Sequence, residues 1–169
     1  ARPPCQDHAP PLPSVSLAVT DTLALSQASS WDALVGEQPL LSHAFLHALH
    51  ETGCASPKTG WAPRYLLLRQ GDALIGAMPL YLKAHSYGEY VFDWSWADAY
   101  RRHGQRYYPK LLAAVPFTPA TGPRLLAGSK QARQRLLEAA LALQAGQGLA
   151  SLHILFPNAE EANQAPNPN

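Results

Sequence analysis

The chain has few cysteines, no excess of one charge and no long apolar run, and each shortage excludes a class of protein. Two cysteines, Cys5 and Cys54, are too few for a disulfide framework or a metal knuckle, so we expect free thiols. Thirteen basic and 12 acidic residues leave a net charge of +1, which provides no global field for nucleic acid or an anionic membrane. No apolar run approaches the roughly 20 residues of a membrane span, and the N-terminus lacks the apolar segment of a signal peptide. These absences predict a cytoplasmic protein whose partners are determined by local sites.

What the chain does contain suits one globular domain. It has 169 residues, of which 47% are hydrophobic, enough for a substantial core. Its ends have a different composition, rich in proline at the start and in proline and asparagine at the finish. We therefore expect a Pro-rich tail over 1–13, a domain over 14–157, and a polar disordered tail over 158–169 that buries nothing.

Apolar alternation predicts the strands. The pair of runs around Gly71 and Asp72 is typical of a hairpin, because this dipeptide suits a tight turn. The last apolar run is nearly continuous, which is typical of a strand covered on both faces. Because this run follows a strand and a helix along the chain, it is predicted to pair in parallel with that strand. The predicted strands are "SVSLAV", the two arms of "PRYLLLRQGDALIGAMPLYLKAH", "GEYVFDW", "KLLAAVPFT" and "LASLHILFP".

Four segments have helical signals, so the fold class is predicted to be mixed α/β (α+β). The first helix has Ser29 or Ser30 as its N-cap and ends at Gly36, and "WADAYRRHG" forms a short helix ending at Gly104. The longest helix, in "SKQARQRLLEAALALQAG", begins after Ser129 as N-cap. Another helix, over 40–52, is predicted to bury Leu41, Phe45, Ala48 and Leu49.

Catalytic and metal motifs are weak. His43, His47 and His50 lie on one face of a predicted helix, where they form either a polar face or a zinc site. The segment "HAFLH" has Ala44 where a metalloprotease would have its glutamate, which excludes that reading. No G-x-S-x-G motif is present to expose a nucleophilic serine.

Two loop segments leave alternatives open. In "GSKQARQ", Ser129 and Lys130 at a helix start are either a phosphate site or an ordinary capped helix with exposed basic residues. The segment "VPFTPATGPRLL" has three prolines in eight residues, so it is irregular. It is either a plain connection or a place where an extended ligand is bound by main-chain hydrogen bonds.

The segment "HSYGEYVFDWSWADAY", residues 85–100, contains six of the 15 aromatic residues together with three acids. Buried cores usually exclude acids, and solvent-exposed loops usually exclude rings. A binding surface explains this mixture better than either, since rings cover apolar sugar faces while hydroxyls form hydrogen bonds.

Several blocks together resemble the bacterial FemAB-like proteins of peptidoglycan biosynthesis or recognition, which are placed in the GNAT superfamily of acyltransferases. The resemblance covers roughly residues 15–157. It lies in "WDALVGEQPLLSHAFLHALHETG", "GWAPRYLLLRQGDALIGAMPLYLKAHSYGEYVFDWSWADAY", "YYPKLLAAVPFTPATGPRLL" and "SLHILFP", in that order.

The resemblance implies a GNAT-like central mixed sheet flanked by helices, with a gap that receives an acyl donor. It implies transfer of an acyl or aminoacyl group to an amine, with a peptidoglycan precursor as the candidate acceptor and acetyl-CoA, another acyl-CoA or aminoacyl-tRNA as donor. The chain stops after the strand, helix, strand crossover, so the resemblance further implies an N-terminal fragment whose second GNAT-like half lies elsewhere. The Q/R-x-x-G-x-G/A loop of the superfamily is absent from "AGSKQARQ". That absence favours the alternative, a non-catalytic recognition half.

Within this family reading, Asp93 and Asp98 are the candidate catalytic bases, because they flank Trp94 and Trp96 and desolvation by the indoles would raise their pKa. Ser129 and Lys130 are the candidate residues for binding the donor, and no metal is expected. Lys110 is a further candidate for binding a substrate anion, as an alternative to Arg124. The candidate substrate-binding residues are Tyr87, Trp94, Trp96, Tyr100, Tyr107, Tyr108, Thr118 and Arg124.

Overall fold

The computed structural model describes residues 14–163, and within them it confirms the mixed α/β class. Eight strands and five α-helices alternate along this part of the chain. The strands are β1 (Val15–Thr20), β2 (Trp61–Pro63), β3 (Tyr65–Gln70), β4 (Ala73–Met78), β5 (Leu80–Lys83), β6 (Lys110–Ala113), β7 (Leu126–Ala127) and β8 (Leu152–Ile154). The helices are α1 (Ala28–Val35), α2 (His43–Glu51), α3 (Trp94–Arg102), α4 (Lys130–Gly146) and α5 (Ala159–Ala162).

The strands form two four-stranded sheets that share one long hairpin. The first sheet has the order β1-β3-β4-β7 and is antiparallel, and the second has the order β2-β5-β6-β8. Each hairpin arm passes from one sheet to the other, with breaks at Arg64 and at Pro79, whose ring nitrogen has no hydrogen to donate. The hairpin turns at Gly71 and Asp72, as predicted, and Gly71 has a φ of 58°. Strands β6 and β8 pair in parallel, which confirms the predicted pairing.

Buried apolar side chains form two clusters, to which β3 and β6 contribute alternate residues. Leu67 belongs to one cluster, while Leu66 and Leu68 belong to the other. The first cluster includes Trp31 of α1 and Leu46 of α2, among others. The second includes the face of α4 formed by Ala132, Leu136 and Ala140. Because successive residues of a strand point to opposite faces, these strands lie between two apolar layers.

The helices match the sequence prediction in place but not in every detail. Helix α1 begins at Ala28 after Gln27, so the prediction of Ser29 or Ser30 as its N-cap is wrong. Helix α4 is capped by Ser129 as predicted, since the Ser129 hydroxyl accepts a hydrogen bond from the Ala132 amide.

The helix predicted over 40–52 begins only at His43, after a short 3-10 turn. Ser42 caps it by accepting a hydrogen bond from the amide of Phe45. Its buried residues are His43 and Leu46, while Ala48 is exposed. Of the predicted stripe, Leu41 is buried and Phe45 and Leu49 are partly buried against the core, so the prediction is wrong only for Ala48.

Two further predictions are corrected by the structure. The segment "GEYVFDW" forms no strand, because Glu89 and Asp93 turn inward and Tyr90 has a φ of 60°. Residues 158–163 were expected to bury nothing, yet α5 forms there and Glu161 is buried. The proline-containing connection after β6 is irregular, as predicted.

The remaining predictions concern single residues and membrane spans. Cys54 is an exposed free thiol, as predicted, and Cys5 lies outside the described residues. Within residues 14–163, none of the helices has the length and apolar character needed to cross a bilayer.

Candidate functional site

Lys110, the first residue of β6, is the centre of a buried charged cluster. Its ammonium group is fully buried and lies 2.8 Å from Glu89 Oε2 and 2.5 Å from Asp93 Oδ2. Glu89 and Asp93 both belong to the segment between β5 and α3. A buried charge is tolerated only when it is paired and hydrogen-bonded, so Lys110 ties this segment to the sheet.

The carboxylate of Asp93 accepts hydrogen bonds from several side chains at once. Both Tyr107, at 2.6 Å, and Tyr108, at 3.0 Å, donate their hydroxyl hydrogens to its carboxylate. The Ser86 hydroxyl donates to the same carboxylate and also contacts the Tyr108 hydroxyl. Asp93 thus has four donors, of which one is the Lys110 ammonium.

These donors determine the ionisation of Asp93. Burial alone would raise the pKa of this carboxyl, but hydrogen bonds from Lys110, Ser86 and Tyr107 outweigh it and hold the pKa well below its usual range. The prediction that desolvation raises the pKa of Asp93 is therefore wrong. The indole of Trp94 points into solvent instead of covering the acid.

Glu89 is the less satisfied acid of the cluster. Burial raises the pKa of its carboxyl, although the hydrogen bond from Lys110 opposes that effect. Its second oxygen, Oε1, is buried without a partner among the described residues, as is the indole nitrogen of Trp61. Such groups carry a cost of roughly 1–3 kcal/mol each unless water or a ligand reaches them.

Lys83, the last residue of β5, is a second buried lysine beside this cluster. Its ammonium group donates to the carbonyl of Tyr87 at 3.0 Å and lies 3.8 Å from the centre of the Trp61 ring, a cation–π contact. Burial lowers the pKa of Lys83 to about 8, with Glu89 opposing and Lys110 reinforcing the shift. Lys83 thereby fixes the backbone of the segment between β5 and α3 at Tyr87.

The segment held in this way presents its rings to solvent. We call Tyr87, Tyr90, Phe92 and Trp94 the aromatic surface, and these residues are 68%, 58%, 75% and 57% exposed, while Trp96, at 64%, lies on another side of α3. The Phe92 and Trp94 rings lie 5.5 Å apart and those of Tyr87 and Trp94 6.4 Å apart. A cavity of about 240 Å³ lies among them, lined by Ser86, Tyr87, Gly88, Tyr90, Phe92 and Trp94.

The predicted wall of four tyrosines is only partly formed. Tyr87 is exposed, but Tyr107 is buried, with its ring 5.3 Å from Tyr100 and 4.9 Å from Tyr108. Tyr107 is thus a part of the buried cluster, because its hydroxyl is needed by Asp93. Tyr108 is half-buried and lines a separate cavity of about 340 Å³ beside Pro109.

Asp98 lies apart from the buried cluster. It is in α3, with its side chain 45% exposed, and it accepts hydrogen bonds from Arg101 at 2.6 Å and Arg102 at 3.4 Å. The structure thus separates the two candidate acids: Asp93 is buried in the charged cluster, and Asp98 lies on the surface of α3.

Arg124 is a structural residue in this fold. Its guanidinium donates to the carbonyl oxygens of Leu155, Pro123 and Ala120, and the residue is 1% exposed. Contact between Arg124 and a substrate anion is therefore excluded in this conformation, because the residue is buried and each guanidinium nitrogen already donates to one of these carbonyls. The Thr118 hydroxyl, in the same connection, donates to the carbonyl of Pro116.

Ser129 and Lys130 lie at the start of α4, beside a third cavity. The cavity has a volume of about 400 Å³, and its lining includes Lys130, Arg133 and Glu138. Arg133 is already paired with Glu160 at 2.5 Å. Donor binding at Ser129 and Lys130 stays a prediction.

The three helical histidines have separate surroundings. His43 is buried and its ring stacks on that of His47 at 5.4 Å. His50 contacts the Ala55 carbonyl and the Tyr65 hydroxyl, and burial lowers its pKa. Within residues 14–163, no group of three or more histidine, cysteine or acidic side chains is arranged to hold a metal ion.

Sequence reasoning missed Ser86, Glu89 and Lys83, and it gave Lys110 a role at the substrate. A signal was available, since "LYLKAH" and "PKLLAA" each place one lysine within an otherwise apolar run. A charged residue in a strand buried on both faces requires a buried partner.

These features define a class: a mixed α/β domain in which a buried lysine–carboxylate cluster supports an exposed aromatic surface. A family model named FemAB-like, described as peptidoglycan biosynthesis/recognition, matches residues 23–169. The match spans most of the chain, and the protein belongs to this FemAB-like family, as its sequence blocks predicted. The family places its function in relation to peptidoglycan. No curated protein and no solved structure matches the chain.

Proposed function

We propose that this domain binds a peptidoglycan precursor at the cavity in the aromatic surface, and that this binding serves the transfer of an acyl or aminoacyl group to an amine of the precursor. The observation that carries the proposal is the group of exposed rings around a cavity, held in place by buried charges. Rings of this kind cover the apolar faces of sugars, and the hydroxyls of the exposed Tyr87 and Tyr90 can bind polar substituents.

The proposed reaction needs an amine that loses a proton and a donor carbonyl that is polarised, and correct placement supplies much of the rate. Asp98 is the better of the two candidate bases. Its side chain is 45% exposed one helical turn from Trp94, and its arginine partners are themselves exposed, whereas Asp93 is buried with both oxygens bound by donors inside the cluster. The donor is an acyl-CoA or an aminoacyl-tRNA, and a second GNAT-like half would supply what this domain does not.

A recognition role without chemistry is the second candidate. It is favoured by the state of Asp93, whose low pKa and four donors make it a poor base. In this case the buried cluster only shapes the surface, and catalysis takes place elsewhere.

Calorimetry of the chain with a UDP-linked muropeptide tests the binding proposal. We expect binding, and we expect Trp94→Ala to weaken it by about fivefold, since a well-placed ring contact contributes on the order of 1 kcal/mol. Leu25→Ala is the matched control, because Leu25 is 71% exposed and does not line the cavity. Equal affinity of the Trp94→Ala and wild-type chains would contradict the proposal.

Transfer activity separates the two candidate functions. In the full-length protein, Asp98→Asn should abolish most acyl transfer while leaving muropeptide binding unchanged. Unchanged turnover would remove Asp98 from the mechanism. Muropeptide binding by the present chain without any binding of acetyl-CoA would support the recognition role.

A further inference from the structure

Helix α3 differs from the other long helices in having no buried residue. Its first turn presents Trp94 to solvent next to the exposed rings of Phe92 and Tyr90, and it presents Trp96 on another side, since residues two apart on a helix do not share a face. An apolar helix face is normally packed against a sheet or another helix, and a cluster of exposed rings marks an interaction site. The surface therefore requires a partner with apolar character.

Positive charge continues this surface along the helix. Trp94 and Arg101 are seven residues apart, two helical turns, so they lie on the same side of α3. The side chains of Arg101 and Arg102 are 78% and 76% exposed, and Arg106 after the helix is exposed as well.

The charge of this segment differs from that of the rest of the chain. Residues 94–106 contain three arginines and one acid, Asp98, which leaves +2 locally in a protein whose net charge is +1. A partner that complements this segment has an apolar interior next to a layer of negatively charged groups.

We propose that the aromatic surface and the three arginines of residues 94–106 dock this protein on the interface of an anionic lipid bilayer. The rings enter the boundary between headgroups and acyl chains, where tryptophan and tyrosine are favoured. The guanidinium groups meet the phosphates at the same level, each contributing electrostatic attraction that falls off within a Debye length. The buried contacts of Lys83 and Lys110 keep the rings outside, since they hold the segment from within.

The arrangement of the rings favours lipid over single-stranded nucleic acid. A nucleic-acid surface offers separate ring faces on which successive bases stack. Here the Phe92 and Trp94 rings pack edge against face at 62° and the Tyr87 and Trp94 rings are tilted at 59°, so the rings are not parallel and present a compact apolar tip. Such a tip suits insertion better than stacking.

The cavity assigned to the precursor is lined by the same rings, so the biological setting of this docking rests on the proposed function. The docking itself does not require it. A vesicle measurement without precursor therefore tests the lipid proposal alone, and muropeptide calorimetry tests the precursor proposal alone.

Flotation of the chain with vesicles provides the test. We expect the chain to float with phosphatidylcholine vesicles containing about one third phosphatidylglycerol, and to float much less with phosphatidylcholine alone. Trp94→Ser with Trp96→Ser should abolish flotation, and Arg101→Gln should weaken partitioning by about fivefold. Controls are Leu25→Ser and Arg135→Gln, which change an exposed leucine and an exposed arginine elsewhere and should float like the wild type.

Tryptophan fluorescence gives an independent readout. Trp31 and Trp61 are fully buried, so quenching by brominated lipid would report on Trp94 and Trp96. The absence of flotation and of quenching in the wild-type chain would overturn the proposal. Binding of a single-stranded oligonucleotide without vesicle binding would overturn it in favour of nucleic acid. Flotation that both the tryptophan and the arginine variants retain would overturn the assignment to this surface.

Discussion

Lys110 is the residue on which the segment between β5 and α3 depends most. It has two carboxylates within hydrogen-bonding distance and no exposure to water. A buried ion pair adds little stability compared with an apolar replacement of the whole group, but removal of one partner leaves charges buried without compensation. The effect of substitution should therefore be large and specific to the partner removed.

Lys110→Met is expected to lower the free energy of unfolding by about 3–5 kcal/mol, because Glu89 and Asp93 then lose the ammonium group that pairs with both of them. Urea denaturation measures the change. Lys130→Met is the control, since Lys130 is exposed and should change stability by less than about 0.5 kcal/mol. A Lys110→Met protein as stable as wild type would contradict the charged cluster.

Lys83 gives a pH dependence of opposite sign to that of most lysines. Its folded pKa is lowered to about 8 and its unfolded pKa is about 10.4, so between these values the unfolded chain binds more protons. Stability from this residue therefore rises with pH above about 8. The difference in unfolding free energy between wild type and Lys83→Met, followed from pH 7 to about 9.5, should increase in favour of wild type. A difference independent of pH would contradict the lowered pKa.

At the scale of elements, the short helix α5 fixes the irregular connection before β7. The buried Glu161 carboxylate accepts hydrogen bonds from the backbone amides of Arg124 and Leu125 at 2.8–3.0 Å. Gly122 also forms a bridge with Pro157. The carboxylate of Glu161 in α5 thus accepts hydrogen bonds from backbone amides of the connection that have no partner in a neighbouring strand.

Glu161→Ala is expected to destabilise the fold by about 1–3 kcal/mol, because two buried amides lose their acceptor. Hydrogen exchange at the amides of Arg124 and Leu125 should accelerate more than exchange in α4. Glu160→Ala is the matched control, since its side chain is 61% exposed and pairs only with Arg133. Equal exchange rates in both variants would contradict this role of α5.

The elements that sequence predicted well are those whose signals are local. The β3–β4 hairpin follows from its apolar arms around Gly71 and Asp72, and α4 follows from its cap and its apolar spacing. The segment before α3 was mispredicted as a strand because its conformation depends on Lys110, a residue 17 positions after Asp93. The concentration of rings was visible in the sequence, but which acid is locked inside was not, since that depends on long-range pairing.

At the scale of the whole molecule, the two apolar clusters are joined by strands that contribute to both. Leu46 of α2 belongs to one cluster and Leu136 of α4 to the other, and neither is exposed. Because β3 and β6 place neighbouring residues in both clusters, loss of one layer removes support from the strands of the other.

Leu46→Ala and Leu136→Ala are each expected to cost about 2–5 kcal/mol. In both variants, urea transitions followed by tryptophan fluorescence and by circular dichroism should coincide. This distinguishes shared strands from independent layers, since Trp31 and Trp61 report on the first cluster only. Two separated transitions in the Leu136→Ala protein would contradict cooperative coupling.

The burial of β3 on both faces has a consequence for how its pairing register is chosen. A strand with one polar face resists a one-residue slip, since the slip would expose its apolar side chains. Tyr65, Leu66, Leu67 and Leu68 are all buried, so a slip here exchanges one leucine layer for the other, and its polar cost is confined to the Tyr65 hydroxyl, which would leave His50 and Tyr81. The register is therefore selected by geometry: by the turn at Gly71, and by the irregularity between Leu68 and Arg69 where β3 meets β4. A residue inserted into that turn would therefore exchange the apolar clusters into which the leucines of β3 pack, while the amino-acid composition of the strand stays the same.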